Sequence, residues 1–209
     1  MFGHNTLYQQ ILLKMRTMIT FTMQDLAKQV GYDGERRLRG RELGRKFQAG
    51  LREKILSTSH DELLRFDLRD VQMMDVSFID ELFGGIAEAR GRGELSGAAL
   101  LLVEVDPLDV DDIGRILAGR PSSSTGLRNC VVPLAESDSI RLLGKTEDYV
   151  QETFSELLQA KSLSTSELMS RLDLANNTAS TRLKVLYDLG LARRVPQTES
   201  RGYVYHMLI

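Results

Sequence analysis

Apolar residues between positions 40 and 56 recur at steps of four, which places Leu43, Phe47, Leu51 and Ile55 on one side of an amphipathic helix. The pattern then switches to alternation. Leu63 to Val71 reads as a strand with Leu64, Phe66 and Leu68 on one face. Helical spacing returns from Ser77 to Arg90 through Phe78, Leu82 and Ile86, and Gly91, Gly93 and Gly97 break it. Ala98 to Val105 is almost continuously apolar, the pattern of a central strand buried on both faces. A further helix is expected over Asp109–Ala118, a loop over 121–126, and short final strands over Cys130–Leu134 and Ser139–Leu143. This alternation of helix and strand predicts an α/β sandwich.

Beyond position 145 the pattern changes character. An apolar stripe of Tyr149, Val150, Phe154, Leu157 and Leu158 marks a helix from Thr146 to Ala160, which either joins two domains or packs across a two-fold axis. Ser164 or Thr165 is placed to cap the next helix, with Glu167 where a capping-box carboxylate reaches back. Leu168, Met169 and Leu172 are its apolar side. Asp173 to Asn177 supplies a turn whose asparagines suit both the bend and the cap that follows. The next helix, roughly Asn177 to Leu189, buries Ala179, Leu183 and Leu186, and Gly190 ends it. Two strand-like runs, Leu191–Val195 and Gly202–Met207, flank residues 196–201 as a hairpin.

The phrase STSELMSRLDLANNTASTRLKVLYDLGLARRV closely resembles the winged helix-turn-helix of MarR/ArsR-type transcription regulators over about 60 residues. In such modules the second helix enters the major groove and the wing lies along phosphate or minor groove. The resemblance implies that Asn176, Asn177, Thr178, Ser180, Thr181, Arg182 and Lys184 face bases and nearby phosphates, with Arg193, Arg194 and Arg201 holding the backbone from the wing. From Asn176 onward five cations stand against two carboxylates, whereas the preceding helix is acid-rich through Glu147, Asp148, Glu152 and Glu156. Local polarity rather than the whole module carries the expectation of DNA binding. A winged helix used only for protein docking is the alternative.

Upstream, RGRELGRKFQAGL and LLRFDLRDVQMMDVSFIDELFGGI resemble the STAS-like family of bacterial proteins across roughly 110 residues. STAS antagonists of anti-sigma factors carry Asp-Ser-Ser-Gly at the equivalent loop, with the second Ser as a phosphorylation switch. Here the run is Asp75-Val76-Ser77-Phe78, so Ser77 aligns with the switch while Val76 and Phe78 depart from the pattern. A phosphate on Ser77 meets a favourable helix dipole but faces Asp75 and Asp80. The favoured reading is that Ser77 caps the helix.

Composition narrows the function classes. The chain has 209 residues, 42% hydrophobic and 27% charged, with a net charge of −2, which excludes a generally basic coat for nucleic acid. Cys130 is the single cysteine and reads as a buried strand residue. No apolar run approaches the ~18 residues of a membrane span, and no secretion signal is evident, so a cytoplasmic protein without membrane association is expected. His4, His60 and His206 stand apart from other ligands, so no metal and no cofactor are expected. No phosphate-binding loop or dinucleotide fingerprint occurs, and no enzymatic activity is expected. Asp109, Asp111 and Asp112 read as helix-capping charge. The basic run Gly34–Lys54, eight cations against three carboxylates, reads as the solvated side of a helix, with a second phosphate-contacting surface as the alternative. Thr22–Gly31 resembles one helix of a helix-turn-helix, but no recognition helix follows it.

The combined expectation is an N-terminal extension (1–20), a STAS-like α/β domain (21–145) and a winged helix-turn-helix (146–209). The expected function is a homodimeric, double-stranded-DNA-binding transcriptional regulator whose STAS-like domain serves as sensor or protein-docking module. A protein-interaction adaptor in a partner-switching or defence pathway is the alternative.

Overall fold

The computed structural model describes residues 18–34, 36–60, 62–120, 126–137, 139–197 and 202–207. Within them lies a five-stranded sheet of β1 (Met18–Thr22), β3 (Leu63–Asp67), β5 (Ala99–Val103), β6 (Cys130–Ala135) and β7 (Ile140–Lys145), in that spatial order. The first four strands run parallel and β7 returns antiparallel to β6, so the chain is mixed α/β with a mostly parallel sheet. A separate parallel pair, β2 (Arg37–Leu38) and β4 (Met73–Met74), bridges two loops.

Because the parallel strands follow one another in sequence order across the sheet, their crossovers all return on the same side. Helices α1 (Met23–Gln29), α2 (Arg41–Ser57), α3 (Val76–Ile79), α4 (Gly85–Gly91) and α5 (Pro107–Gly119) therefore share one face of the sheet. Leu64, Phe66, Leu100, Leu102, Cys130 and Val132 point into that layer, where they meet Phe47, Phe78, Phe83 and Ile113. Phe47 packs edge-on against both Tyr32 and Phe78, with centroids 5.6 and 5.3 Å away. As expected of a central strand, all five residues of β5 are buried.

Three local features differ from the sequence reading. Strand β1 begins at Met18, inside the expected extension, and pairs along its whole length with β3. Its alternation is only five residues long, too short to register as a pattern. The expected helix over 77–90 is interrupted by a π-helical turn, Asp80–Gly84. Arg120 lies against that turn. It donates from Nη2 to the Asp80 carbonyl at 2.6 Å and from Nε to the Asp80 carboxylate at 3.0 Å, and it also bonds Glu88. A Cβ on Gly84 would fall 2.2 Å from Arg120 Nε, so only glycine admits the guanidinium there. The caps are also displaced: Asp106, ahead of Pro107, caps α5, and Asp109 is instead buried inside that helix. Burial raises the Asp109 carboxyl above its ordinary range.

The C-terminal unit contains α6 (Asp148–Ala160), α7 (Thr165–Leu172) and α8 (Asn176–Asp188). With them goes an antiparallel sheet of β8 (Ser162–Ser164), β10 (Tyr203–Met207) and β9 (Ala192–Pro196), in the order β8-β10-β9. Its core joins Val150, Phe154, Leu157, Leu168, Leu183 and Tyr205, and continues without a break onto Val131, Ile140 and Leu142 of the large sheet. The apolar stripe of α6 is thus covered within the chain, so the sequence alternative of packing it across a two-fold axis does not describe its contacts. Among the described residues no helix is long and apolar enough to cross a membrane.

Gly144, on β7, lies close against the β6 backbone. Its φ is +113°, and an added Cβ would lie 2.2 Å from the Cys130 carbonyl oxygen. Gly144→Ala is expected to lower stability by about 2 kcal/mol or more, read as a lower urea midpoint with an unchanged slope.

Candidate nucleic-acid interface

The local sequence explains how α7 and α8 are set against each other. Ser164 caps α7: its Oγ accepts from Glu167 N at 3.2 Å, while the Glu167 carboxylate accepts from Ser164 N at 2.7 Å. This is the reciprocal box the sequence predicts. The bend after α7 is made by Asp173, in left-handed geometry at φ 50°, and the Leu174 amide donates back to Met169 O. The residue at the N-cap of α8 is Ala175, which has no side-chain hydrogen bond to give. Asn176 and Asn177 therefore do not cap the helix, contrary to the sequence reading, and stay outside with their amides turned to solvent.

Helix α8 buries Ala179, Leu183 and Leu186, at the positions its spacing predicted. On the opposite side Asn176, Asn177, Thr178, Ser180, Thr181 and Lys184 are exposed. Beside this face runs a groove of about 760 Å³ between the N-terminus of α7, the start of α8 and the β9–β10 hairpin. Ser166, Asn176 and Ser180 form one wall, and Gln197, Gly202 and Tyr203 form the other.

The cations are arranged less freely than their sequence positions imply. Arg182 is bent back onto α6, where it bonds Glu152 at 2.6 Å and stacks over Tyr149, leaving its side chain 18% exposed. Lys184 pairs with Asp188 at 2.5 Å, one helical turn on. Arg171 reaches Glu156 at 3.1 Å. Arg194 lies between the rings of Tyr187 and Tyr203, 4.5 and 4.8 Å from their centroids, a doubled cation–π contact that fixes the hairpin to α8. Arg193 is half-buried on β9, and among the described residues its Nε has no hydrogen-bond partner. Arg201 lies outside the described residues, as does the hairpin tip over 198–201.

The structure thus brings the six exposed α8 residues together and separates Arg182 and Arg194 from them. Sequence reasoning missed Glu152, Tyr187 and Tyr203 as partners of these arginines. Glu152 and Arg182 are 30 residues apart, beyond any periodic signal; the alternation of Tyr203 and Tyr205 along one strand was the one available hint.

The other singled-out residues lie elsewhere. Ser77 is half-exposed in the first turn of α3, but Asp75, not Ser77, caps that helix. Asp75 accepts from Phe78 N at 2.7 Å and from Gly40 N, at the start of α2, at 2.9 Å. Ser77 sits two positions inside, where its hydroxyl is past the free amide it was expected to serve. Arg41 and Arg45 of the basic run are engaged by Glu81, and Arg41 also by Asp80. Cys130 is fully buried, and burial pushes its thiol up to about 12. Among the described residues no three His, Cys, Asp or Glu side chains gather as a metal site. In comparisons with protein-family models, curated proteins and solved structures, the chain matches none.

The backbone amide and hydroxyl of Ser164 hold the Glu167 carboxyl below its ordinary value of 4.5. A depressed folded-state value means the capping box contributes stability above about pH 4.5, and this is lost as pH falls through the folded value. Ser164→Ala is expected to cost about 1 kcal/mol at neutral pH. Urea titrations should find that difference shrinking as the pH is taken below the ordinary carboxyl value of 4.5, as Glu167 protonates in the parent and the reciprocal bonds weaken.

Proposed function

We propose that the C-terminal unit is a winged helix-turn-helix that reads duplex DNA, with α8 as the helix entering the major groove and the β9–β10 hairpin as the wing. The α/β unit is, on this reading, a STAS-like domain that senses a signal or docks a protein. The observation that carries the reading is the clean division of α8. Its apolar side seals the core, while six polar residues carrying hydroxyl, amide and ammonium groups are exposed on the other side.

Asn176, Asn177, Thr178, Ser180 and Thr181 carry the donor and acceptor groups that recognise base edges. The groove beside them is lined by the hydroxyl residues Ser164, Thr165 and Ser166 at the start of α7, groups of the kind that contact phosphate oxygens. A single recognition helix makes few base contacts, so a homodimer on paired half-sites about 34 Å apart completes the proposal. A gel shift against genomic fragments tests it. Selective binding is expected, and Asn177→Ala with Thr181→Ala should reduce it by about 1–3 kcal/mol in all while leaving the fold intact. Equal affinity for all fragments, or none, refutes the reading.

A second reading, a protein-interaction adaptor in a partner-switching or defence pathway, is favoured by one specific observation. Arg182, Arg171, Lys184 and Arg194 are all engaged by groups of their own unit, which leaves little free cation for phosphates. The two readings differ in what Glu152 does. If α8 meets DNA, Glu152→Gln frees Arg182 and removes a like charge from the phosphates. Affinity should rise about 2–10-fold, with the slope of log K against log salt steeper by about 0.9. An adaptor shows no selective DNA binding in either form and co-purifies with a protein.

A further inference from the structure

Arg90 lies in the last turn of α4 with its side chain buried, 5% exposed, and without an ion pair among the described residues. Among the described residues its guanidinium makes one hydrogen bond, from Nη2 to the Ala98 carbonyl. The group points across the junction between the α/β unit and the C-terminal unit. A Cβ on Gly190 would lie 1.9 Å from Nη1, so the cation rests directly on the glycine that follows α8. The negative end of the α8 dipole offsets part of its charge.

A guanidinium has five N–H donors, and a buried charged donor without an acceptor is strongly unfavourable. Nε and Nη1 of Arg90 have no protein acceptor among the described residues, and they open toward a cavity rather than being sealed in the protein. Arg90 lines a cavity of about 70 Å³ at the junction, together with His60, Ser96, Gly97, Tyr187 and Asp188. Ser96 and Gly97 also line it, and no described residue accepts a hydrogen bond from their backbone N–H groups. Asp188, the one carboxylate on the wall, is bound by Lys184. The buried cation and the two loop amides supply donors, the rim hydroxyl and imidazole can donate or accept, and the one carboxylate is neutralised by Lys184. The space suits a cluster of waters or one tetrahedral oxyanion and is too small for a nucleoside.

We propose that this junction binds a compact oxyanion of phosphate size, held by Arg90 and the Ser96–Gly97 amides, and that the bound anion ties the end of α8 to the α/β unit. The burial of Arg90, which lowers its own pKa to about 10, is consistent with a cation that gains from such a partner. The inference does not depend on what α8 contacts.

The test is thermal unfolding of the full chain against increasing inorganic phosphate, with sodium chloride matched for ionic strength. Phosphate also stabilises proteins by general exclusion from their surfaces, so the decisive quantity is the part of the shift that depends on the site. The parent should show a saturable rise of about 3 °C or more beyond chloride. Arg90→Met, which keeps the apolar stem and removes the donors, should abolish the saturable part. Should that variant fail to fold, Ser96→Asp places a carboxylate at the exposed mouth and should raise the half-maximal phosphate concentration at least tenfold. A parent shift that does not saturate, or one unchanged in the folded variant, overturns the proposal.

Discussion

A parallel sheet carries apolar side chains on both faces, and here the crossovers cover only one of them. Every residue of β5 is buried, yet helices α1 to α5 all lie against the face that Leu100 and Leu102 present. At the β6–β7 end, the other face is closed by the C-terminal unit, whose core is continuous with Val131, Ile140 and Leu142. That covering contact constrains everything attached to it. It fixes the unit by α6 and the end of α8, and so leaves the polar side of α8 turned outward. The polar face is therefore available because the unit's apolar surface is already committed to the sheet.

The elements with strong periodicity were readable from residues alone. The helix over 41–57, the strands at 63–67 and 99–103, and the pair of helices with Ala179, Leu183 and Leu186 inward follow from spacing, because burial of an apolar stripe dominates their placement. What escaped was set by contacts distant in sequence. β1 is too short to show a pattern, and its partner lies 45 residues further along, Met18 opposite Leu63. The π-helical turn exists where Arg120 comes in from another helix to take the Asp80 carbonyl. The choice of Asp75 over Ser77 as cap depends on a second donor, Gly40 N, which local sequence does not reveal.

The candidate interface shows the same division. Which α8 residues face outward was a matter of helical geometry, and the exposed set agrees with it. Which cations are free is a matter of electrostatics between helices, and counting charges along the chain misjudged it. The acid-rich α6 is not a neutral bystander: Glu152 and Glu156 hold arginines of the two helices it faces. Charge on one face of a module has meaning only after its neighbours are in place.

The bifurcated role of Asp75 has a consequence for how the α/β unit moves. One carboxylate serves the first amides of both α2 and α3, so neither helix start can fray without withdrawing a partner from the other. Their amide protons should exchange with solvent as a single cooperative block rather than as two independent ends. A disturbance arriving at the 75–78 loop, whatever its source, would thus be felt 35 residues earlier in the chain as a loosening at Gly40.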